Sequence, residues 1–278
     1  KQFEGKLDLA IRIFNNQYPK RFLHQLVSSQ LDMDRLDYLK RDSFYSGVSE
    51  GVVSNQRIIK MLDVVDDDLV IHEKGIYSIE KFIVARRLMY WQVYLHKTVI
   101  SAEFLLVKIL KRAKFLARNG SDIFCSPAFK LFLFNDISKE DFQSKKTLES
   151  FTQLDDYDVL GAIKVWSNHS DKVLAELCNM LVNRHLLKVQ IQKEEFSKEE
   201  IEKHIQFAAK HYAITEEEAK YFVFNGNIEN NAYNPEMDRI NILFKNGSVM
   251  DITEASDNLN VQALSMTVRK YFLCYPSI

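Results

Sequence analysis

The residues best suited to chemistry lie in one stretch, Ser28-Ser-Gln-Leu-Asp-Met-Asp-Arg-Leu-Asp-Tyr-Leu-Lys-Arg-Asp-Ser-Phe-Tyr-Ser-Gly-Val-Ser-Glu-Gly51. At about 100° of rotation per residue, a helix here brings Asp34, Arg35, Tyr38 and Asp42 within an arc of roughly 100°, while Leu36 and Leu39 point elsewhere. A metal ion of hard or borderline character needs carboxylate oxygen, a phosphate needs a cation, and a sugar hydroxyl needs paired donors and acceptors. All three kinds of group share this face. A second set, Arg86, Tyr90, Tyr94 and Lys97, falls within about 80° on another helix. The plainer reading of the first set is an exposed helix with ion pairs such as Asp37 with Arg41.

The stretch resembles the C-terminal metal-ligand motif of HD-superfamily phosphohydrolases, in the deoxynucleoside triphosphate triphosphohydrolase-like branch, where a helix reading LDxDRxDYLxRD follows the helices bearing the H…HD ligands. The resemblance implies that Asp34 is the last metal-ligand aspartate, that Arg35 faces the triphosphate, and that Tyr38 and Asp42 meet the sugar 3′-hydroxyl. Ala85-Arg-Arg-Leu-Met-Tyr-Trp-Gln-Val-Tyr-Leu-His-Lys97 resembles the far wall of that pocket. There Arg86 would meet phosphates, Tyr94 would pack on the sugar, and Lys97 would add positive charge. Leu95 departs from the polar residue that some members place beside the base. Leu181-Val-Asn-Arg-His-Leu-Leu-Lys-Val189 resembles a helix-to-strand turn that holds an activating nucleotide in allosteric members, with Arg184 and Lys188 at the matching positions. A charged helix end favourably placed against the dipole is the plainer account of these two.

An HD site needs two His and two Asp, including an adjacent His-Asp pair, so that positions stay open for water and phosphate oxygen. None of the seven histidines (His24, His72, His96, His169, His185, His204, His211) precedes an Asp, and only 33 residues precede Asp34. The expectation is a chain lacking the N-terminal HD half, with Asp34 as its single contribution to a divalent metal ion held only in the complete protein. The motifs GxxxxGK[ST], GxGxxG and GxSxG are absent. The reading is a metal-dependent nucleotide phosphohydrolase, converting dNTP to deoxynucleoside plus triphosphate and inactive as this portion alone. The alternative is a non-catalytic regulatory or oligomerisation module.

The elements that must position these residues are mostly helical. The 278 residues are 46% apolar with only 8 Gly and 4 Pro, too little punctuation for a many-turned sandwich or barrel. Apolar spacing of three and four reads as helices over Leu7 to Phe14, Arg21 to Phe44, Ile79 to Leu116 and Val159 to Leu187. A hairpin is expected in Leu69 to Ser78, turning at its Gly, and Ser126-Pro127 opens a helix to Phe134. After Leu187 come a strand at Val189 to Ile191, capping boxes at Ser197 to Glu200 and Thr215 to Glu218, and a loop from Asn225 to Asp238. A type I′ hairpin is expected at Asn246-Gly247, and a last strand at Val268 to Cys274. The expected architecture is therefore mainly α, with an HD-type helical region at 1–190 and a small α+β domain with a four-strand sheet at 191–278.

Net charge is −1, so nucleic acid is not expected as a partner, although Lys81 to Arg118 holds nine Lys/Arg against one acidic residue, Glu103. Three scattered cysteines form no CxxC pair, and no run approaches the ~20 apolar residues of a membrane span. The expected setting is cytoplasmic, with a nucleotide substrate, copies of the chain as homo-oligomer partners, and no membrane.

Overall fold

The computed structural model describes residues 5–257 and 266–277. In chain order the principal elements are α1 (Asp8–Phe14), α2 (Arg21–Val27), α3 (Met33–Ser46), α4 (Asn55–Met61), β1 (Leu62–Val65), β2 (Asp68–His72) and α5 (Ile76–Met89). A π-turn at Tyr90–Tyr94 leads to α6 (Lys97–Arg118), α7 (Pro127–Phe134), α8 (Lys145–Thr152), α9 (Asp156–Trp166) and α10 (Lys172–Val182). Then follow β3 (Lys188–Gln192), α11 (Lys198–Tyr212), α12 (Glu216–Ala219), β4 (Phe224–Asn230), β5 (Asn241–Leu243), β6 (Val249–Asp251), α13 (Ile252–Ala255) and β7 (Val268–Tyr275). The chain is mainly helical, with an α+β region towards its C-terminus. Among the described residues no helix is long and apolar enough to cross a membrane.

Two compact units divide the chain, one of residues up to His96 with Glu229–Arg269, the other of Lys97–Ile228 with the residues from Lys270. The expected partition at 190/191 is therefore corrected. The reason lies in strand pairing: β5 and β6 do not join the other C-terminal strands but extend the β1–β2 hairpin, in the order β1-β2-β5-β6, with β2 and β5 parallel. The remaining strands make a separate three-stranded sheet, β3-β7-β4. No four-strand sheet forms within 191–278 among the described residues: the four-stranded sheet takes two of its strands from residues 62–72.

In the first unit the core gathers Leu36 and Leu39 of α3, Ile58 of α4, Ile71 of β2, Ile79, Phe82, Ile83 and Met89 of α5, and Tyr233, Ile242 and Ile252. Each such side chain contributes about 1.5–3 kcal/mol by leaving water. Gly51 lets the chain pass close to this core, since a Cβ there would lie 2.8 Å from the Leu39 carbonyl and 2.9 Å from the Met89 sulfur. In the second unit α6 packs on α7, α10 and β3. Its buried face is Ile100, Leu105, Ile109 and Ala113, and α10 supplies Leu174, Leu177 and Cys178.

Several helices are shorter than periodicity predicts. Arg21 to Phe44 is two helices because Asp32 caps a new one, its side chain accepting the Arg35 N–H at 2.7 Å. Ile79 to Leu116 breaks after the π-turn, and Val159 to Leu187 is likewise divided between α9 and α10. The first hairpin turns at Asp66-Asp67, both with positive φ (50° and 63°), not at Gly75. The hairpin at Asn246-Gly247 has positive φ at Gly247 alone, closed by its N–H to the Phe244 carbonyl at 3.0 Å. That is the bulge-type turn instead of type I′, which needs positive φ at both central residues.

Candidate active site

The site is built on α3. Its N-cap, Asp32, is buried and also accepts the Ser29 N–H at 3.1 Å and an ion pair from the Arg35 guanidinium, so Arg35 is held at the start of the helix. Burial of Leu36, Leu39 and Ser43 turns Asp34, Tyr38 and Asp42 to the opposite face. The facing wall comes from the end of α5 and the π-turn, where the Leu95 N–H bonds to the Tyr90 carbonyl at 2.7 Å. Such one-turn widenings re-aim side chains and recur at functional sites.

A groove of about 390 Å³ is lined by Asp34, Arg35, Tyr38, Asp42, Tyr90 and Tyr94. The Tyr94 hydroxyl donates to Asp42 Oδ2 at 2.5 Å. Tyr94 packs edge-on against Tyr38 (centroids 6.1 Å) and Tyr90 (5.1 Å). Burial, with the Tyr90 phenol beside it, pushes Tyr38 up to about 12 against the pull of the Arg86 and Arg35 charges. Burial and the hydrogen bond to Asp42 hold Tyr94 well above the ordinary phenol range. Both hydroxyls therefore keep their protons at neutral pH and can donate. The plain ion pair is present too: Arg41 meets Asp37 at 2.5 Å, fully on the solvent side.

Arg35 also lines a second cavity, of about 430 Å³, together with Arg86, Arg21, His24, Gln30 and the loop residues Asn231, Asn234, Met237 and Asp238. Arg86 is 9% exposed, donates from Nη1 to the Ala232 carbonyl at 3.1 Å, and has a buried Nε without a partner. Its guanidinium lies 6.0 Å from the Tyr90 ring. Burial raises the Asp238 carboxyl, against the lowering effect of the Gln30 N–H and of Arg21.

Of the residues expected from sequence, Asp34, Arg35, Tyr38, Asp42 and Tyr94 share the groove, and Arg86 adjoins it through Arg35 and Tyr90 in the second cavity instead of lining the groove itself. Lys97 opens α6, is exposed, and belongs to the second unit. Arg184 and Lys188 do flank a helix-to-strand turn there, both exposed, with Arg184 in the left-handed region (φ 59°). Tyr90 was readable only as a member of the Arg86–Tyr94 stripe, and the loop at 231–238 carried no chemical signal beyond its Asn content. Among the described residues no group of three His, Cys, Asp or Glu could hold a metal ion. Asp34 alone does not make a metal site, since stable sites use three or more protein ligands.

A family model described as an HD associated region matches residues 53–117, which run from just before α4 through β1, β2 and α5 and most of α6. A phosphohydrolase of known crystal structure from Bacteroides thetaiotaomicron VPI-5482 is 54% identical and superposes with a TM-score of 0.94, over 99% of this chain and 69% of that one. The Bacillus subtilis protein YwfO is 38% identical over 169 residues, 61% of this chain and 37% of the relative. A Dictyostelium discoideum protein named deoxynucleoside triphosphate triphosphohydrolase SAMHD1 homolog is 32% identical over 97 residues, 34% of this chain and 19% of the relative. The chain thus spans well under half the length of either curated relative. With its sequence and fold shared along nearly the whole chain with one phosphohydrolase, and its central helices matching the HD associated region, this chain belongs to the HD-superfamily phosphohydrolases.

Proposed function

We propose that the full-length protein hydrolyses nucleotides, and most specifically a dNTP to its deoxynucleoside and inorganic triphosphate. The observation that carries the reading is the groove in which a protonated tyrosine pair and the Tyr94-bonded Asp42 stand beside Arg35, with the Arg86 guanidinium near the Tyr90 ring that lines it. Asp42 uses Oδ2 for Tyr94, which leaves Oδ1 to accept a sugar hydroxyl, while Tyr38 and Tyr94 offer aromatic faces and O–H groups to the sugar. Arg35 and Arg86 would neutralise phosphate charge. Hydrolysis adds water to the α-phosphorus and breaks its bond to O5′, which leaves with a proton; charge grows on the phosphoryl oxygens, and fixed cations stabilise it. The name borne by the Dictyostelium relative supports a dNTP over other phosphate esters.

The residues described do not compose a metal site, so no step is assigned to one; Asp34 is proposed as one ligand of a divalent metal ion in the full-length protein. This chain alone is expected to be inactive, the activity to be cytoplasmic, and the protein to assemble with its own copies. Its three cysteines are free, in keeping with a reducing compartment. The test is hydrolysis of dNTPs by full-length protein with release of inorganic triphosphate, beside an Asp34→Ala variant. Loss of about 10³-fold or more is expected from that change; near-wild-type turnover would refute the assignment at its most specific residue and leave a regulatory or assembly module as the reading.

A further inference from the structure

One residue, Gln30, makes four of the hydrogen bonds that fasten the loop between β4 and β5 to the site. Gln30 sits just before α3, and its Nε2 donates to the carbonyls of Asn234 (2.5 Å) and Asp238, while its Oε1 accepts the Asn234 N–H at 2.8 Å. Its own backbone N–H donates to the Asp238 carboxylate at 3.3 Å. An amide is the side chain able to satisfy both senses of main-chain hydrogen bonding at once. Arg86 holds the same loop further back, through Ala232. The loop pinned in this way brings Asn231, Asn234, Met237 and Asp238 into the cavity that Arg35 and Arg86 also line. Arg86, nine-tenths buried, and Arg35 set two fixed guanidinium charges in the lining of that cavity, the kind of group that recognises phosphate oxygen.

We propose that Gln30 is a positioning residue that holds residues 231–238 as the outer wall of the polyphosphate end of the site, so that the loop selects for the length and charge of the phosphate chain. This rests on the phosphohydrolase reading above. Gln30 touches no reacting atom; it acts by keeping Asn234 and Asp238, and with them the mouth of the cavity, in register with Arg35 and Arg86. Met237, 82% exposed at that mouth, offers a place to alter the wall without disturbing packing.

The experiment compares wild-type, Gln30→Ala and Met237→Arg full-length proteins for dNTP hydrolysis and for binding of inorganic triphosphate by calorimetry. Gln30→Ala is expected to raise KM and weaken triphosphate binding about tenfold, as suits the loss of several hydrogen bonds, with kcat within about twofold. Met237→Arg is expected to tighten triphosphate binding about threefold, the effect of one added exposed cation. A fall in kcat at constant KM for Gln30→Ala, or unchanged triphosphate affinity in both variants, would overturn the proposal while wild-type hydrolysis leaves the enzymatic reading standing. Conversely, if the wild type hydrolyses no nucleotide yet triphosphate binding follows both variants, the loop proposal holds and the dNTP reading falls. Should Gln30→Ala fail to fold, Gln30→Glu, which keeps the side-chain size but loses the Nε2 donor to the Asn234 and Asp238 carbonyls, replaces it with the same expected rise in KM, and unchanged KM and triphosphate affinity would overturn the proposal.

Discussion

Two buried arginines, one in each unit, make opposite use of the same guanidinium. In the second unit Arg112 of α6 meets Asp171 with both ends of its fork, Nε to Oδ1 at 3.1 Å and Nη2 to Oδ2 at 2.6 Å, and reaches Glu218 at 3.2 Å. Its face also lies 5.3 Å from the Tyr221 ring. In the first unit Arg86 is equally buried but has one main-chain acceptor and an Nε with none. A closed network fixes three elements together, because Asp171 caps α10 and Glu218 completes the capping box of α12. The other leaves Arg86 tied to one loop carbonyl, with the residue lining a cavity instead of locking elements together. The difference teaches that burial of a charged group does not by itself indicate function; what distinguishes the two is whether the hydrogen-bonding capacity is complete.

The sharpest way to break this comparison is to remove each arginine in the full-length protein. Arg86→Ala should lower kcat/KM about 10²-fold or more, the usual cost of losing a fixed cation at a developing negative charge, while denaturant midpoints move little. Arg112→Ala should do the reverse, costing about 3–5 kcal/mol in urea unfolding by leaving the Asp171 carboxylate unpaired, with the folded fraction keeping its kinetics. Equal stability losses in the two variants would erase the distinction. A smaller effect is expected from Tyr38→Phe, about 1–3 kcal/mol in transition-state binding if the hydroxyl donates to the sugar, read as a change in kcat/KM with stability intact.

The smallest effect is on acid stability. Burial pushes Asp171 up, but the hydrogen bonds and charge of Arg112 and the Leu174 N–H more than offset it, so its folded pKa lies below its unfolded one. Stability from this group is therefore complete above the unfolded pKa, near 3.8, and is lost as pH falls through the lower folded value. An Asp171→Asn variant should show a flatter stability profile below about pH 4. An unchanged acid slope would show that the network is no tighter than a surface pair.

The face of α3 was readable because helical rotation alone groups Asp34, Tyr38 and Asp42, and Leu36 and Leu39 fix which side faces inward. What periodicity concealed were the breaks. Apolar spacing continues through Ser28 to Leu31 and through Leu95-His96, where capping by Asp32 and the π-turn end one helix and begin another. Strand β4 was hidden by Asn225, Asn227 and Asn230, which read as loop; yet Asn230 is buried and donates to the Arg87 carbonyl at 3.3 Å. The partners of β5 and β6 could not be read at all, because alternation gives a strand its two faces and says nothing of which distant edge it joins. Gln30 escaped for a related reason: its partners are main-chain atoms more than two hundred residues away.

The parallel pairing of β2 with β5 joins residues 70–72 to 241–243. On the ribosome, the β1–β2 hairpin must therefore wait with one edge open while the whole contiguous stretch of the second unit is made. Pairings so distant in sequence form late and slowly. An open edge in the interval is a template for joining another chain. Premature termination between about residues 228 and 240 should thus be more harmful than its loss of length suggests, because it leaves both sheets open at once: β2 without β5, and β3 and β4 without the β7 strand that lies between them.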